Sequence, residues 1–150
     1  YFEKSIKNII NILNKDTSYE TLNTQDKDGE TALYKACSDM KRIDIAKLLL
    51  LKGSKIDIQD NEGWTALFMA CRWGYVEIVE LLLQNGASIT IQDKLERTVL
   101  HIAARWGYID IIKLLIKQGI NKNIKNNVGK TACELAKEKG RSEVVTLLSS

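Results

Sequence analysis

Hydrophobic and polar positions switch pattern along the chain at regular intervals. From Ala66 to Trp73 apolar and small residues run at helical spacing, with Ala66 and Ala70 one turn apart. Thr65 precedes the run, where a hydroxyl can accept from an N–H of the first turn. Gly74 follows it, and glycine reaches the left-handed conformation that ends helices without a Cβ penalty. The spacing predicts a second helix from Val76 to about Gln84. Its polar positions Glu77, Glu80 and Gln84 form one solvent stripe, while Val76, Ile78, Val79, Leu81 and Leu82 fill the rest. Asp110, Lys113 and Lys117 repeat the stripe one unit later.

That recurrence holds along most of the chain. Thr31-Ala32-Leu33, Thr65-Ala66-Leu67, Thr98-Val99-Leu100 and Thr131-Ala132-Cys133 follow one another at steps of 34, 33 and 33 residues. Ala36, Ala70, Ala103 and Ala136 keep the same register. Gly29, Gly63 and Gly129 stand two residues before three of the threonines, and Gly53, Gly86 and Gly119 close the units. A helix pair of this size cannot enclose its own apolar surface, but stacked copies can, so the pattern predicts an all-α solenoid. Small alanines let the first helices approach closely while the bulkier second helices fan outward. The expected array is therefore curved, with the first helices on its concave side.

The residues Asp60-Asn61-Glu62-Gly63-Trp64-Thr65-Ala66-Leu67-Phe68-Met69-Ala70, with Gly74, Ile78-Val79, Leu81-Leu82 and Gly86-Ala87, resemble an ankyrin repeat. So do Thr98-Val99-Leu100-His101-Ile102-Ala103-Ala104, Gly107 and Leu114-Leu115. The resemblance covers about residues 26–150 as four units, near 26–59, 60–92, 93–125 and 126–150. It implies hairpin-like loops along the concave edge and a role in binding other proteins. Four departures stand out. The family's usual proline after the threonine is replaced by Ala32, Ala66, Val99 and Ala132. The first unit lacks the glycine between its helices and carries one extra residue in 38–42. Glu96 stands where the other units have glycine, which predicts a strained turn. Glu134 replaces the family's histidine and creates the capping-box spacing Thr131-x-x-Glu134.

Residues 1–25 read as a half-repeat whose helix, apolar at Ile6, Ile9, Ile10, Ile12 and Leu13, caps the stack. Leu22-Asn23-Thr24-Gln25-Asp26 parallels Ile56-Asp57-Ile58-Gln59-Asp60, so the period is expected to begin before Tyr1. That start, and a last helix at Val144-Val145 and Leu147-Leu148 with no polar capping repeat after it, suggest a piece of a longer array.

Composition narrows the function. The 150 residues are 45% hydrophobic, with 22 Lys and Arg against 19 Asp and Glu, a net charge of +3 that is dispersed and argues against nucleic-acid binding. No apolar run approaches the roughly 18 residues of a membrane span. Three cysteines are a small, odd number that favours a reducing compartment, the cytoplasm with the nucleus as the alternative, over a disulfide scaffold. Equivalent helices such as those carrying Cys37 and Cys71 pack about 8–10 Å apart, beyond the roughly 7 Å a disulfide spans. All three thiols are read as small buried apolar groups, Cys133 filling a leucine slot. His101 is the only histidine, too few for a histidine triad or a multi-histidine metal site. The ankyrin resemblance gives it a structural role between repeats. No catalytic, cofactor-binding or metal-binding set emerges, so an enzyme is not expected.

By the same resemblance, partners meet the hairpin tips and the exposed ends of the first helices. In this chain those positions hold Asn61, Glu62, Trp64, Arg72 and Trp73 in the second unit and Lys94, Leu95, Arg97, Arg105 and Trp106 in the third. All three tryptophans fall among them, and Trp and Arg dominate binding hot spots. Trp73 and Trp106 admit a second reading, as shields over the turns at Tyr75 and Tyr108; Trp64, single and at a tip, is read as a contact. Summed by unit, this surface carries −2, 0, +3 and +1, which would orient an acidic partner toward the third and fourth units. The expectation is a monomeric, non-enzymatic module binding a protein or peptide. The alternative is a regulatory ankyrin segment of a larger enzyme, channel or effector.

Overall fold

The computed structural model describes residues 22–149. The capping helix expected within residues 1–25, with its apolar face at Ile6, Ile9, Ile10, Ile12 and Leu13, lies outside the described residues. From there on the units alternate short first and longer second helices: α1 (Ala32–Cys37) and α2 (Ile43–Leu51), α3 (Ala66–Trp73) and α4 (Val76–Gln84), α5 (Val99–Trp106) and α6 (Ile109–Lys117), α7 (Ala132–Glu138) and α8 (Ser142–Ser149). Among the described residues there are no strands. The first helices stack in succession, α1 on α3, α3 on α5 and α5 on α7, while α4, α6 and α8 follow behind them. The alanine register explains this closeness. Ala36, Ala70, Ala103 and Ala136 are all buried at the seams, where a larger side chain would force the helices apart.

Each first helix starts at a threonine held in extended backbone, with ψ between 166° and 173°. The polar atom of the residue three places on differs, and the caps differ with it. At Thr131 the capping box forms: Thr131 N–H donates to Glu134 Oε2 (2.7 Å) and Glu134 N–H donates back to Thr131 Oγ1 (3.3 Å). At Thr98, His101 Nδ1 accepts from the backbone N–H at 3.1 Å. Thr65 departs from expectation. Its hydroxyl is buried and makes no hydrogen bond, whereas Thr31 Oγ1 accepts from the Tyr34 N–H at 3.2 Å.

The first unit absorbs its extra residue as a 3₁₀ turn, Met40–Arg42, capped by Asp39 and leading straight into α2. In the two middle units a left-handed glycine makes the corner instead, at φ 75° for Gly74 and 82° for Gly107. The solvent stripes of α4 and α6 are exposed as expected. Cys37 and Cys71 are fully buried, but Cys133 is not. Its thiol lies 3.6 Å from Ser149 Oγ, in the last helix pair, against which no further repeat packs among the described residues.

The loops between units are hairpins closed by side chains. Asp60 Oδ1 accepts from the Glu62 and Trp64 N–H groups, Asp93 Oδ1 from Leu95 and Arg97, and Asn126 Oδ1 from Val128 and Lys130. Neighbouring tips are tied by the main chain: Asn61 N–H to the Asp28 carbonyl, Lys94 to Glu62 and Asn127 to Leu95, each at 3.0 Å. The period does extend N-terminal to the first helix. Asn23 Oδ1 accepts from Lys55 N–H just as Asp57 Oδ1 accepts from Ser88 N–H, and Gln25 reaches the Gln59 carbonyl as Gln59 reaches that of Gln92. Close tip approach also explains two of the glycines: a Cβ on Gly29 would come 2.8 Å from Asn61 N and one on Gly63 3.0 Å from Asp93 Cα. Glu96 occupies the same register and is the one non-glycine residue with positive φ among those described, at 55°. The strain expected there is present.

Candidate functional site

Two shallow depressions lie along the tips and the adjoining first helices. One is lined by Tyr34, Asp60, Glu62, Trp64, Met69, Arg72 and Trp73. The other is formed by Leu95, Arg97, Ile102, Arg105, Val128, Lys130, Leu135 and Glu138 with neighbouring tip residues. Seven of the ten residues expected to meet a partner therefore line one or other of them. The remaining three lie beside them. Asn61 is exposed but its Nδ2 donates to the Lys27 carbonyl (2.9 Å), Lys94 projects from a tip, and Trp106 is half-buried beneath Arg72.

Similar residues are used differently. Trp64 is half-buried: its ring is tilted against Phe68 with centroids 5.8 Å apart, and its Nε1–H donates to Asp93 Oδ2 at 3.0 Å. Trp73 is 49% exposed. Arg72 places its guanidinium 5.2 Å from the Trp73 ring and 4.1 Å from the Trp106 ring of the next unit, within the range of cation–π attraction. The turn at Gly74 is packed by the Tyr108 ring and that at Gly107 by Arg141, each from the following unit.

Charge on this surface is smaller than a residue count suggests. Asp93 is only 5% exposed, yet every lone pair has a donor: besides the two backbone N–H groups and Trp64, Arg97 donates through Nε (2.8 Å) and Nη2 (2.6 Å). Arg97 therefore does not add to a basic third unit, because the buried Asp93 neutralises it. Lys130 pairs with Glu138, and Lys35 with Asp26 and Glu30. Arg105 is exposed and its side chain makes no ion pair among the described residues. Tyr34 donates its phenol to Asp60 Oδ2 at 2.8 Å, and burial together with that carboxylate hold its pKa far above the usual tyrosine value.

Met69, Val128 and Leu135 line these depressions but were not singled out by sequence. The signal was register: Met69, Ile102 and Leu135 occupy one slot of the period, and Val128 shares the tip slot of Leu95, where earlier units carry Asp28 and Glu62. Leu95 and Val128 are 45% and 66% exposed.

His101 is structural. With Nδ1 accepting from Thr98, the ring proton sits on Nε2, which donates to the Lys130 carbonyl at 3.1 Å and joins the third unit to the fourth. Burial lowers its pKa, against the raising effect of that carbonyl. Burial likewise pushes the Cys37 thiol up to about 12 and holds Cys71 higher still. Among the described residues no group of three His, Cys, Asp or Glu could hold a metal ion, and no helix is long and apolar enough to cross a membrane.

A family model described as ankyrin repeats (3 copies) matches residues 3–93 and 87–150. None of the curated proteins matches the chain. Repeats of this family are generally protein–protein interaction modules and typically non-enzymatic. With a family model spanning nearly its whole length over a stack of paired helices, the chain belongs to the ankyrin repeat family.

Proposed function

We propose that this chain is a non-enzymatic module that binds a protein or peptide partner across its hairpin tips and first helices, working as a monomer without a cofactor. The observation that carries the reading is the run of aromatic and cationic groups from Trp64 through Arg72 and Trp73 to Trp106, held at fixed spacing across two units. Trp and Arg supply large, stiff contact area and forked hydrogen bonding, so a surface of this kind loses little entropy on binding. The unit bounds near 26–59, 60–92, 93–125 and 126–150 place each depression between neighbouring repeats. Free buried thiols at Cys37 and Cys71 suit a reducing compartment, cytoplasm or nucleus.

Photo-crosslinking in the source cell tests the reading. A crosslinking residue at position 73 or 94 should capture defined proteins, and the same residue at 113, on the solvent stripe of α6, should not. Equal capture from both faces, or none from either, would discard it. Trp73→Ala is the suitable competitor variant, because Trp73 is half-exposed, whereas removing Trp64 would also take one donor from the buried Asp93.

A further inference from the structure

The stacking of Arg72 on Trp106 sets a rule for the period: the arginine of one unit covers the tryptophan of the next. One unit on, Arg105 should cover residue 139, but that residue is Lys139. The ladder therefore stops, and the Arg105 guanidinium faces solvent with no ring or carboxylate of its own among the described residues. Its neighbours are already neutralised, Arg97 by Asp93 and Lys130 by Glu138. The charge left over among the residues that line the second depression is thus Arg105, while Lys94 and Glu96, both exposed at the adjoining tip and without an ion pair among the described residues, sum to zero.

The same depression holds an apolar pair. Leu95 and Val128 project from adjacent tips joined by the Asn127 N–H to Leu95 carbonyl bond at 3.0 Å. Ile102 and Leu135 lie below them on α5 and α7. Tip residues in the first two units are acidic, Asp28 and Glu62. Apolar side chains 45% and 66% exposed, side by side and beside an unpaired cation, are costly to leave in water without a use.

We infer that the Leu95–Val128 cleft and Arg105 together seat a short segment of a partner protein that carries one large apolar side chain with a carboxylate a few residues away. The apolar side chain enters between the two tips over Ile102 and Leu135, and the carboxylate takes the open face and N–H fork of Arg105, bidentate as guanidinium geometry favours. This rests on the interaction reading above and specifies the partner's chemistry. Both features fall within one depression between two repeats, so a short segment spans them.

Selection of random dodecapeptides displayed on phage, with the chain as bait, tests it. Enriched peptides should combine a large apolar residue with a nearby Asp or Glu. A synthetic winner should bind about tenfold or more weakly to both Val128→Asp and Arg105→Glu. Both sites are solvent-exposed, so these variants should keep the parent's helical circular dichroism and melting. Selection repeated on Arg105→Glu should trade the acid for Lys or Arg. Winners lacking either element, or indifferent to both variants, would overturn the inference. If those winners still lose binding on Trp73→Ala, the broader interaction reading survives. Failure to enrich any peptide also overturns the short-segment proposal, leaving crosslinking to decide the broader one. Self-association in sedimentation abolished by Val128→Asp would put a second copy of this chain in the cleft and overturn it too.

Discussion

Glu96 sits in the left-handed region at φ 55°, where its register partners Gly29, Gly63 and Gly129 lie between 75° and 82°. An L-residue there costs roughly 1–2 kcal/mol through Cβ crowding. Replacing it with glycine removes that strain but gives the unfolded chain more freedom to lose, about 0.4–1 kcal/mol. The Glu96 side chain is exposed and makes no ion pair among the described residues, so little else changes. Its main-chain bonds, N–H to the Asp93 carbonyl (2.9 Å) and carbonyl from Gln92 Nε2 (2.6 Å), are kept by any residue. Glu96→Gly should therefore stabilise the protein by about 0.5–1 kcal/mol, a rise of about 1–4 °C in melting temperature for a chain of this length. Urea unfolding followed by far-UV circular dichroism reads the change as a higher midpoint at unchanged slope. Glu96→Ala is the control, since it discards the charge and keeps the Cβ; it should leave the midpoint nearly where it was. Equal stabilisation by alanine would mean that charge, not backbone strain, was the cause. A lower midpoint for glycine would refute the strain argument outright.

Three further outcomes follow from the caps and buried groups. Thr65→Val should be neutral or stabilising by up to about 1 kcal/mol, since it deletes a buried hydroxyl with no partner at almost constant shape. The same change at Thr98 or Thr131 should cost about 0.5–2 kcal/mol, because those hydroxyls belong to caps. His101 gives a pH dependence of definite sign. Its folded pKa lies below the unfolded 6.5, so the unfolded state binds the extra proton and stability, full above that value, falls as pH drops through the folded pKa. The urea midpoint should fall between pH 7.5 and 5.5, above the range of most carboxylates, and the fall should shrink in His101→Gln. A flat profile in the parent would contradict a buried neutral ring. Finally, Ellman's reagent should modify Cys133 well before Cys37 or Cys71, which burial holds as protonated thiols out of reach; equal rates for all three would contradict that burial.

Much of the architecture was legible in the chain because each unit is local. The threonine starts, the alanine seams, the stripes of α4 and α6, the extra residue before α2 and the odd Glu96 turn all follow from short-range geometry repeated at a step of 33 or 34 residues. A helix pair that cannot bury its own apolar face must stack, and the period dictates on what. What the period could not decide is which of several like residues ends up committed. Arg97 and Arg105 look equivalent as charges, but only one finds a buried carboxylate. Trp64 and Trp73 look equivalent as anchors, but Trp64 donates its indole proton to Asp93, 29 residues away. Thr65 reads as a cap like its counterparts, but its buried hydroxyl finds no partner. Val128 and Leu95 become a pair only when two tips are laid side by side. In each case the partner comes from across a repeat boundary or depends on which polar atom is in reach. Periodicity establishes which units are neighbours, and three-dimensional packing sets the few ångströms that decide whether a charge is spent or left open.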